Sequence, residues 1–304
     1  MKKEILTLNS EFDGLPLSVA LYAPEGAVKG IVQLAHGMSE HKERYFPFME
    51  YLASEGYASI LHDHRGHGAS VKAADDLGYM YDETGAAIVE DVHQMTLYMK
   101  ERFPGVPVYL FGHSMGSIIV RVYLRKYDRE IDKLIVCGAP GKNPAVGAAK
   151  ALIKILKAVK GERHVSKLMF NLALGGFNKS IPNPRTECDW LSVNTANVDE
   201  YLGCPLCGFG FTLNGYQNLM MIMEACFLEE GWGMNNPDLP IFFIAGSSDP
   251  CIGGKDGWMD SQIFLRKKGY TSVDGKLYEG YRHEILNEEI ARDVFADVLT
   301  FIEK

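Results

Sequence analysis

Short apolar runs alternate along most of the chain with longer segments whose apolar residues recur every three or four positions. The short runs, at 4–8, 15–22, 30–35, 58–63, 106–111, 133–137, 240–245 and 275–278, predict eight strands. Asp13-Gly14 between the first two reads as a hairpin turn, so the sheet is expected to begin antiparallel and continue parallel. In 83–103, Ile88, Val92, Met95 and Met99 follow one another at spacings of four, three and four, which puts them on one helix face, toward the sheet. Ile290, Val294, Val298 and Phe301 make a similar stripe in a last helix, for which Asn287 is the expected N-cap.

The alternation lapses between residues 137 and 240. The stretch 141–210 reads as an inserted, mainly helical cap on a core formed by 1–140 and 211–304. A helix predicted over 144–160 carries Lys150, Lys154, Lys157 and Lys160 on one side and Leu152, Ile153, Leu156 and Val159 on the other. Its apolar face suits either an acyl chain or a membrane surface, or simple packing on its own domain with the lysines in water; packing is the expectation, and the two are compatible. The predicted class is α/β: a mostly parallel eight-stranded sheet with helices on both faces and an inserted helical cap.

Composition narrows the setting. At 304 residues and 47% hydrophobic, the chain suits one large α/β domain with an insertion. A net charge of −8 with no long basic run argues against nucleic acid as a partner. Glu11 and Asp13 follow the first residues too soon for a signal peptide, and no long uncharged apolar window suggests a membrane span, so a cytoplasmic protein is expected. The six cysteines are scattered and read as free thiols. Cys204-Pro205-Leu206-Cys207 is a lone C-x-x-C with no second pair nearby in sequence, and reads as two packed thiols, not a metal or redox site.

The chemistry starts at Gly112-His113-Ser114-Met115-Gly116, between a strand-like run and a helix-like run. A strand that turns sharply into a helix presents a serine hydroxyl at the top of a sheet, and glycines make room for the turn. A serine needs a base, and the base an orienting carboxylate, in the order Ser, Asp/Glu, His. Asp249, in the turn after the run 240–245, fits the acid, and His283, between the last strand and the last helix, fits the base. The backbone N–H groups of Met115 and of Met38, in His36-Gly37-Met38-Ser39-Glu40-His41, are the expected oxyanion donors.

These residues resemble the monoacylglycerol lipase and lysophospholipase family of serine α/β-hydrolases. The resemblance rests on His36-Gly37-Met38-Ser39-Glu40-His41 with Arg44-Tyr45, on Asp63-His64-Arg65-Gly66-His67-Gly68-Ala69-Ser70, and on Gly112-His113-Ser114-Met115-Gly116. Gly246-Ser247-Ser248-Asp249 and Arg282-His283-Glu284 complete it. It implies an α/β-hydrolase fold, hydrolysis of a small-molecule acyl ester under a cap, and neither cofactor nor metal. Small-ester esterase, thioesterase and serine aminopeptidase activities occur on the same fold and stand as alternatives. His67 and His113 are expected to be structural, His36 to shape the oxyanion loop, and Asp63 and Arg65 to hold loops together. Phe209, Phe211, Met220, Met221, Met223 and Phe227 are expected to be mostly core, with a share in an acyl pocket. The cap is the expected point of any transient contact with a membrane surface.

Overall fold

Eight strands form one sheet in the order β1-β2-β4-β3-β5-β6-β7-β8 in the computed structural model, which describes residues 1–304. The strands are β1 (Lys2–Asn9), β2 (Pro16–Ala23), β3 (Ile31–Ala35), β4 (Ala58–His62), β5 (Val108–His113), β6 (Lys133–Cys137), β7 (Ile241–Gly246) and β8 (Val273–Tyr278). β1 and β2 pair antiparallel through the Asp13-Gly14 turn, β2 runs antiparallel to β4, and every later pairing is parallel. The turn closes because Gly14 takes φ +76°, which lets its N–H reach Ser10 O at 2.7 Å.

The helices are α1 (Phe46–Ser54), α2 (Ala87–Arg102), α3 (Met115–Tyr127), α4 (Val146–Lys160), α5 (Lys167–Ala173), α6 (Thr195–Gly203), α7 (Leu213–Cys226), α8 (Gly254–Lys268) and α9 (Ala291–Glu303). Central strands are buried on both faces, as parallel strands covered by helices must be. Alternate side chains of β5 divide the core: Val108 and Leu110 face the cluster under α2, α3, α7 and α8, while Tyr109 and Phe111 face the one under α1 and α9.

Two helix starts differ from the sequence expectation. α2 begins at Ala87, not near 83, because the Asp82 carboxylate accepts from the amides of Glu83, Thr84 and Ala87 and holds that stretch as a loop. Asn287 does not cap α9, which begins at Ala291 after Ile290. The turn between them is held by Ala291 N–H to Glu288 O, while the Glu288 carboxylate accepts from Val193 and Asn194 N–H.

Between β6 and β7 the chain makes a long excursion over the C-terminal ends of the strands, carrying α4, α5, α6 and α7. α4 packs on α7, which in turn packs on α3. Ile153 is buried in that contact, and Leu152 and Leu156 lie half-buried against it, whereas Ile155 and Val159 on the same helix are 62% and 77% exposed. The lysines are not a uniformly solvated side: Lys150 pairs with Glu224 at 2.6 Å and Lys157 donates to Gln217 at 2.7 Å.

Candidate active site

A single residue, Ser114, joins β5 to α3. It sits at φ 53°, ψ −117°, a region that non-glycine residues occupy at a cost of about 1–3 kcal/mol and only where the surroundings impose it. The surroundings do so through Ser114 N–H to Cys137 O at 3.0 Å and Ser117 Oγ to Ser114 O at 2.6 Å. Glycine flanks it for lack of space: a Cβ on Gly116 would stand 2.1 Å from Ala35 O, and one on Gly112 2.5 Å from Gly116 O. The first amides of α3, beginning with Met115, have no partner inside the helix and carry the positive end of its dipole.

Asp249 and His283 meet although 34 residues separate them. Asp249 follows β7; its Oδ1 accepts from Cys251 N–H at 2.8 Å, which fixes the carboxylate, and its Oδ2 lies 2.8 Å from His283 Nδ1. A carboxylate acceptor requires the proton on Nδ1, so the Nε2 lone pair of His283 is available as a base. The backbone of His283 is held by His113 Nε2–H to His283 O at 3.2 Å. Trp190 from the excursion packs on the His283 ring at 5.1 Å, and Gly138, whose Cβ would stand 3.2 Å from that ring, leaves it room.

The loop after β3 is stiffened by charge. Glu40 Oε1 accepts from Gly37 N–H at 2.6 Å and from Tyr45 Oη at 2.8 Å. Arg44 forks onto Glu284 at 2.6 and 2.7 Å and also reaches Glu40 and Asn197. Burial would raise the Glu284 and Glu40 carboxyls, but Arg44 for Glu284, and the His113 hydrogen bond with Arg44 for Glu40, hold both below the usual carboxylate range. Burial likewise opposes a charge on His113, yet Glu40 outweighs it and raises that imidazole.

Behind the loop lie four fully buried imidazoles, His36, His62, His64 and His67. His36 donates Nδ1–H to Gly37 O and accepts from His64 N–H, so the ring ties the loop to the end of β4. Asp63 accepts from Lys42 and Ala69, and Arg65 is wholly buried against Asp91, Asp13 and Ser10, so both hold loops as expected. His67 packs edge-on against Phe209 and Phe211.

Ser114, His283, Met38 and Met115 all line one cavity of about 390 Å³ roofed by residues of α5 and α7. Its apolar wall includes Leu172, Leu174, Trp190, Leu219, Met220 and Met223, so the methionine-rich segment contributes to the wall, while Phe211 is core. Two groups of three potential metal ligands lie within 4.8 Å of one another: Asp249, Cys251 and His283 at the cavity, and His41, Cys204 and Cys207 outside it. Sequence reasoning assigned no role to Arg44, Glu40, Glu284 and Asn197 as a unit. The acids and arginine were visible inside the quoted motifs, but their pairing spans 240 residues and Asn197 carried no signal.

The profile of the Hydrolase_4 family, described as serine aminopeptidase S33, matches residues 26–290. A monoacylglycerol lipase of Mycolicibacterium smegmatis is 26% identical over 95% of this chain and 93% of its own. A probable lysophospholipase L2 of Haemophilus influenzae is 30% identical over 93% of this chain and 86% of its own. Among solved structures, a thermostable carboxyl esterase from Bacillus coagulans in complex with glycerol superimposes with a TM-score of 0.92, at 27% identity, over 100% of this chain and 98% of that one.

Proposed function

The chain belongs to the Hydrolase_4 family of serine α/β-hydrolases, and from that premise we propose that it cleaves carboxylic esters of monoacyl lipids, a monoacylglycerol or a lysophospholipid, through an acyl-enzyme intermediate. The observation that carries the reading is the convergence of Ser114 with the Asp249–His283 pair on one small, largely apolar cavity. Relatives named for monoacylglycerol and lysophospholipid cleavage cover nearly the whole chain.

In this reading Ser114 Oγ attacks the ester carbonyl while His283 Nε2 takes its proton, and Asp249 stabilises the imidazolium that forms. The oxyanion receives the N–H groups of Met115 and Met38. Gly37 N–H is already bound to Glu40, which leaves Met38 as the loop's donor at the cavity wall. His283 then protonates the departing alcohol, water takes its place, and the same groups hydrolyse the acyl-serine. Residues 141–210 act as a cap on the core formed by 1–140 and 211–304. Exposed apolar side chains on α4 and α5, Ile155, Val159, Leu168 and Leu172, suit a transient contact with a lipid surface. The unpaired state of all six cysteines suits a reducing, cytoplasmic setting, and no helix is long and apolar enough to cross a membrane.

A specific observation weighs against aminopeptidase activity despite the family's description. A free substrate ammonium needs an uncommitted carboxylate, and the two acids lining the cavity, Glu40 and Glu284, are both bound to Arg44. The deciding experiment compares kcat/KM for p-nitrophenyl esters from acetate to palmitate, a monoacylglycerol, a lysophosphatidylcholine and an aminoacyl amide. Rates should climb with chain length until the cavity is full, since each buried methylene contributes roughly 0.8 kcal/mol. A preference for acetate, or for the amide, would overturn the lipid reading.

A further inference from the structure

Cys204 and Cys207 stand alone in the sequence, but the fold brings a third ligating group to them. His41, 163 residues away, places Nε2 3.3 Å from Cys204 Sγ, and the nitrogen and both sulfurs lie within 4.8 Å of one another. From this juxtaposition we propose that His41, Cys204 and Cys207 form a binding site for a thiophilic metal ion, Zn2+ in the first instance.

Three features make the cluster more than a chance meeting of thiols. The first is the turn. Cys207 N–H donates to Cys204 O at 3.0 Å, and Gly208 turns the chain away at φ +67°. A tight turn of this kind keeps both sulfurs within reach of a single ion.

The second is the state of His41. Its Nδ1 lies 2.6 Å from Glu43 Oε2, and Glu43 is itself paired with Lys42 at 2.8 Å. A carboxylate on Nδ1 fixes the proton there and turns the Nε2 lone pair toward the sulfurs; carboxylate–histidine–metal relays orient their ligands in this way. The third is the chemistry of the donor set. Two thiolates and one imidazole are soft and borderline donors that suit Zn2+ and discriminate against Mg2+ and Ca2+, and they leave a fourth tetrahedral position for water. On binding, Zn2+ gains two Zn–S bonds and one Zn–N bond while both thiols release their protons to solvent, so no electron changes hands.

The site straddles two parts of the chain. Ser39 O accepts from Gly208 N–H at 2.9 Å and from Tyr201 Oη at 3.1 Å, and Ser39 Oγ donates to Phe209 O at 2.7 Å. A metal at His41, Cys204 and Cys207 would add a coordinate link beside these bonds, between the loop after β3 and the segment joining α6 to α7. The proposal stands whether or not the chain hydrolyses lipid esters.

The test uses the full chain, reduced and stripped of metal, titrated with Co2+ and followed by absorbance. One Co2+ per chain with a thiolate-to-cobalt charge-transfer band and tetrahedral d–d bands, displaced by Zn2+, is the expected result. Cys204→Ser and Cys207→Ser should each abolish the charge-transfer band or reduce it sharply. Glu43→Gln, which touches no ligand sulfur, should weaken binding by roughly 10–100-fold, as loss of an orienting carboxylate does elsewhere. Circular dichroism checks that each variant is folded, and if a cysteine variant is not, Glu43→Gln and His41→Gln decide. Stoichiometric Zn2+ should also raise Tm by several degrees in the parent chain and not in His41→Gln. The proposal is overturned if reduced protein gives no thiolate band. It is equally overturned if the band survives Cys204→Ser and Cys207→Ser but vanishes in Cys251→Ser, which would put the ion at Asp249, Cys251 and His283 instead.

Discussion

The floor and the roof of the cavity are built on opposite principles. The floor, made of strand ends and the loop after β3, is polar and nearly saturated: Arg44 is 7% exposed, Glu284 3% exposed, and each charge has several partners. The roof, where α5 crosses the cavity, is apolar and loosely held, with Leu172 63% exposed and Ala173 and Leu174 only half-buried. Reacting groups must be held within fractions of an ångström, and a closed network of charged hydrogen bonds does that. An acyl chain asks only for apolar surface and room, which a thin helical layer supplies. The difference teaches where substitutions should be felt as lost turnover, where as lost stability, and where as altered chain-length preference.

Variants that attack the floor's proposed reacting groups sharpen the contrast most. Ser114→Ala should lower kcat by on the order of 10⁶ with an unchanged unfolding midpoint, as removal of a serine nucleophile does in other hydrolases. Asp249→Asn should follow at about 10⁴, because an amide can hold the imidazole but not stabilise its charged form. Steady-state rates on a chromogenic ester measure both. Residual activity above a few per cent in Ser114→Ala would end the assignment.

Next in size is the floor's charge network. Arg44→Met strands two buried carboxylates and should cost about 3–5 kcal/mol of unfolding free energy, read by urea denaturation. Adding Glu284→Gln to Arg44→Met should recover part of that loss. An Arg44→Met protein as stable as the parent would break the comparison at its foundation.

Acid should find the same region. Burial pushes His36 down to about 4 and His62 and His67 down to about 3, and holds His64 well below its ordinary value. The unfolded chain takes up protons on these rings below about pH 6.5 while the folded one refuses them. Their contribution to stability is therefore whole above about pH 6.5 and is lost as the pH falls toward 4 and 3. His113, raised by Glu40, has the opposite sign, stabilising at low pH and losing that contribution as the pH rises through its folded value. Each ring kept neutral costs up to about 2 kcal/mol at pH 5, so four against one should leave the protein several kcal/mol less stable near pH 5 than near pH 7.5, as urea midpoints would report.

The roof should give the smallest stability change. Leu172→Ser, at a 63% exposed position lining the cavity, should shift unfolding free energy by no more than about 0.5 kcal/mol. It should nevertheless lower kcat/KM for a long-chain ester several-fold and leave the acetate ester untouched. A destabilised Leu172→Ser protein would mean that the roof is core after all.

Much of this was legible in the chain because the sheet obeys local rules. Buried parallel strands show as apolar runs, and all eight fell near their predicted positions, with the Asp13-Gly14 hairpin where it was read. The serine turn, the Asp249 turn and the His283 loop were visible because each follows a strand. Illegible features were those made by distant partners. The start of α2 was missed because the Asp82 side chain outcompetes the helix, and α9 because Glu288 serves the excursion instead of a cap. The Arg44 network and the approach of His41 to Cys204 depend on how the excursion folds back, and no local pattern encodes that.

The sheet order also sets a timetable. Ser114 leaves β5, whereas Asp249 and His283 leave β7 and β8 at the far edge. Synthesis delivers the strands in chain order, so the β1–β2 segment and the serine segment leave the ribosome well before either partner. In the proposed mechanism Ser114 stays an ordinary alcohol until β7 and then β8 join the edge. Under the proposed roles, ester-cleaving ability therefore arrives in one step with the last strand, and a chain that stalls before β8 is harmless to the lipids around it.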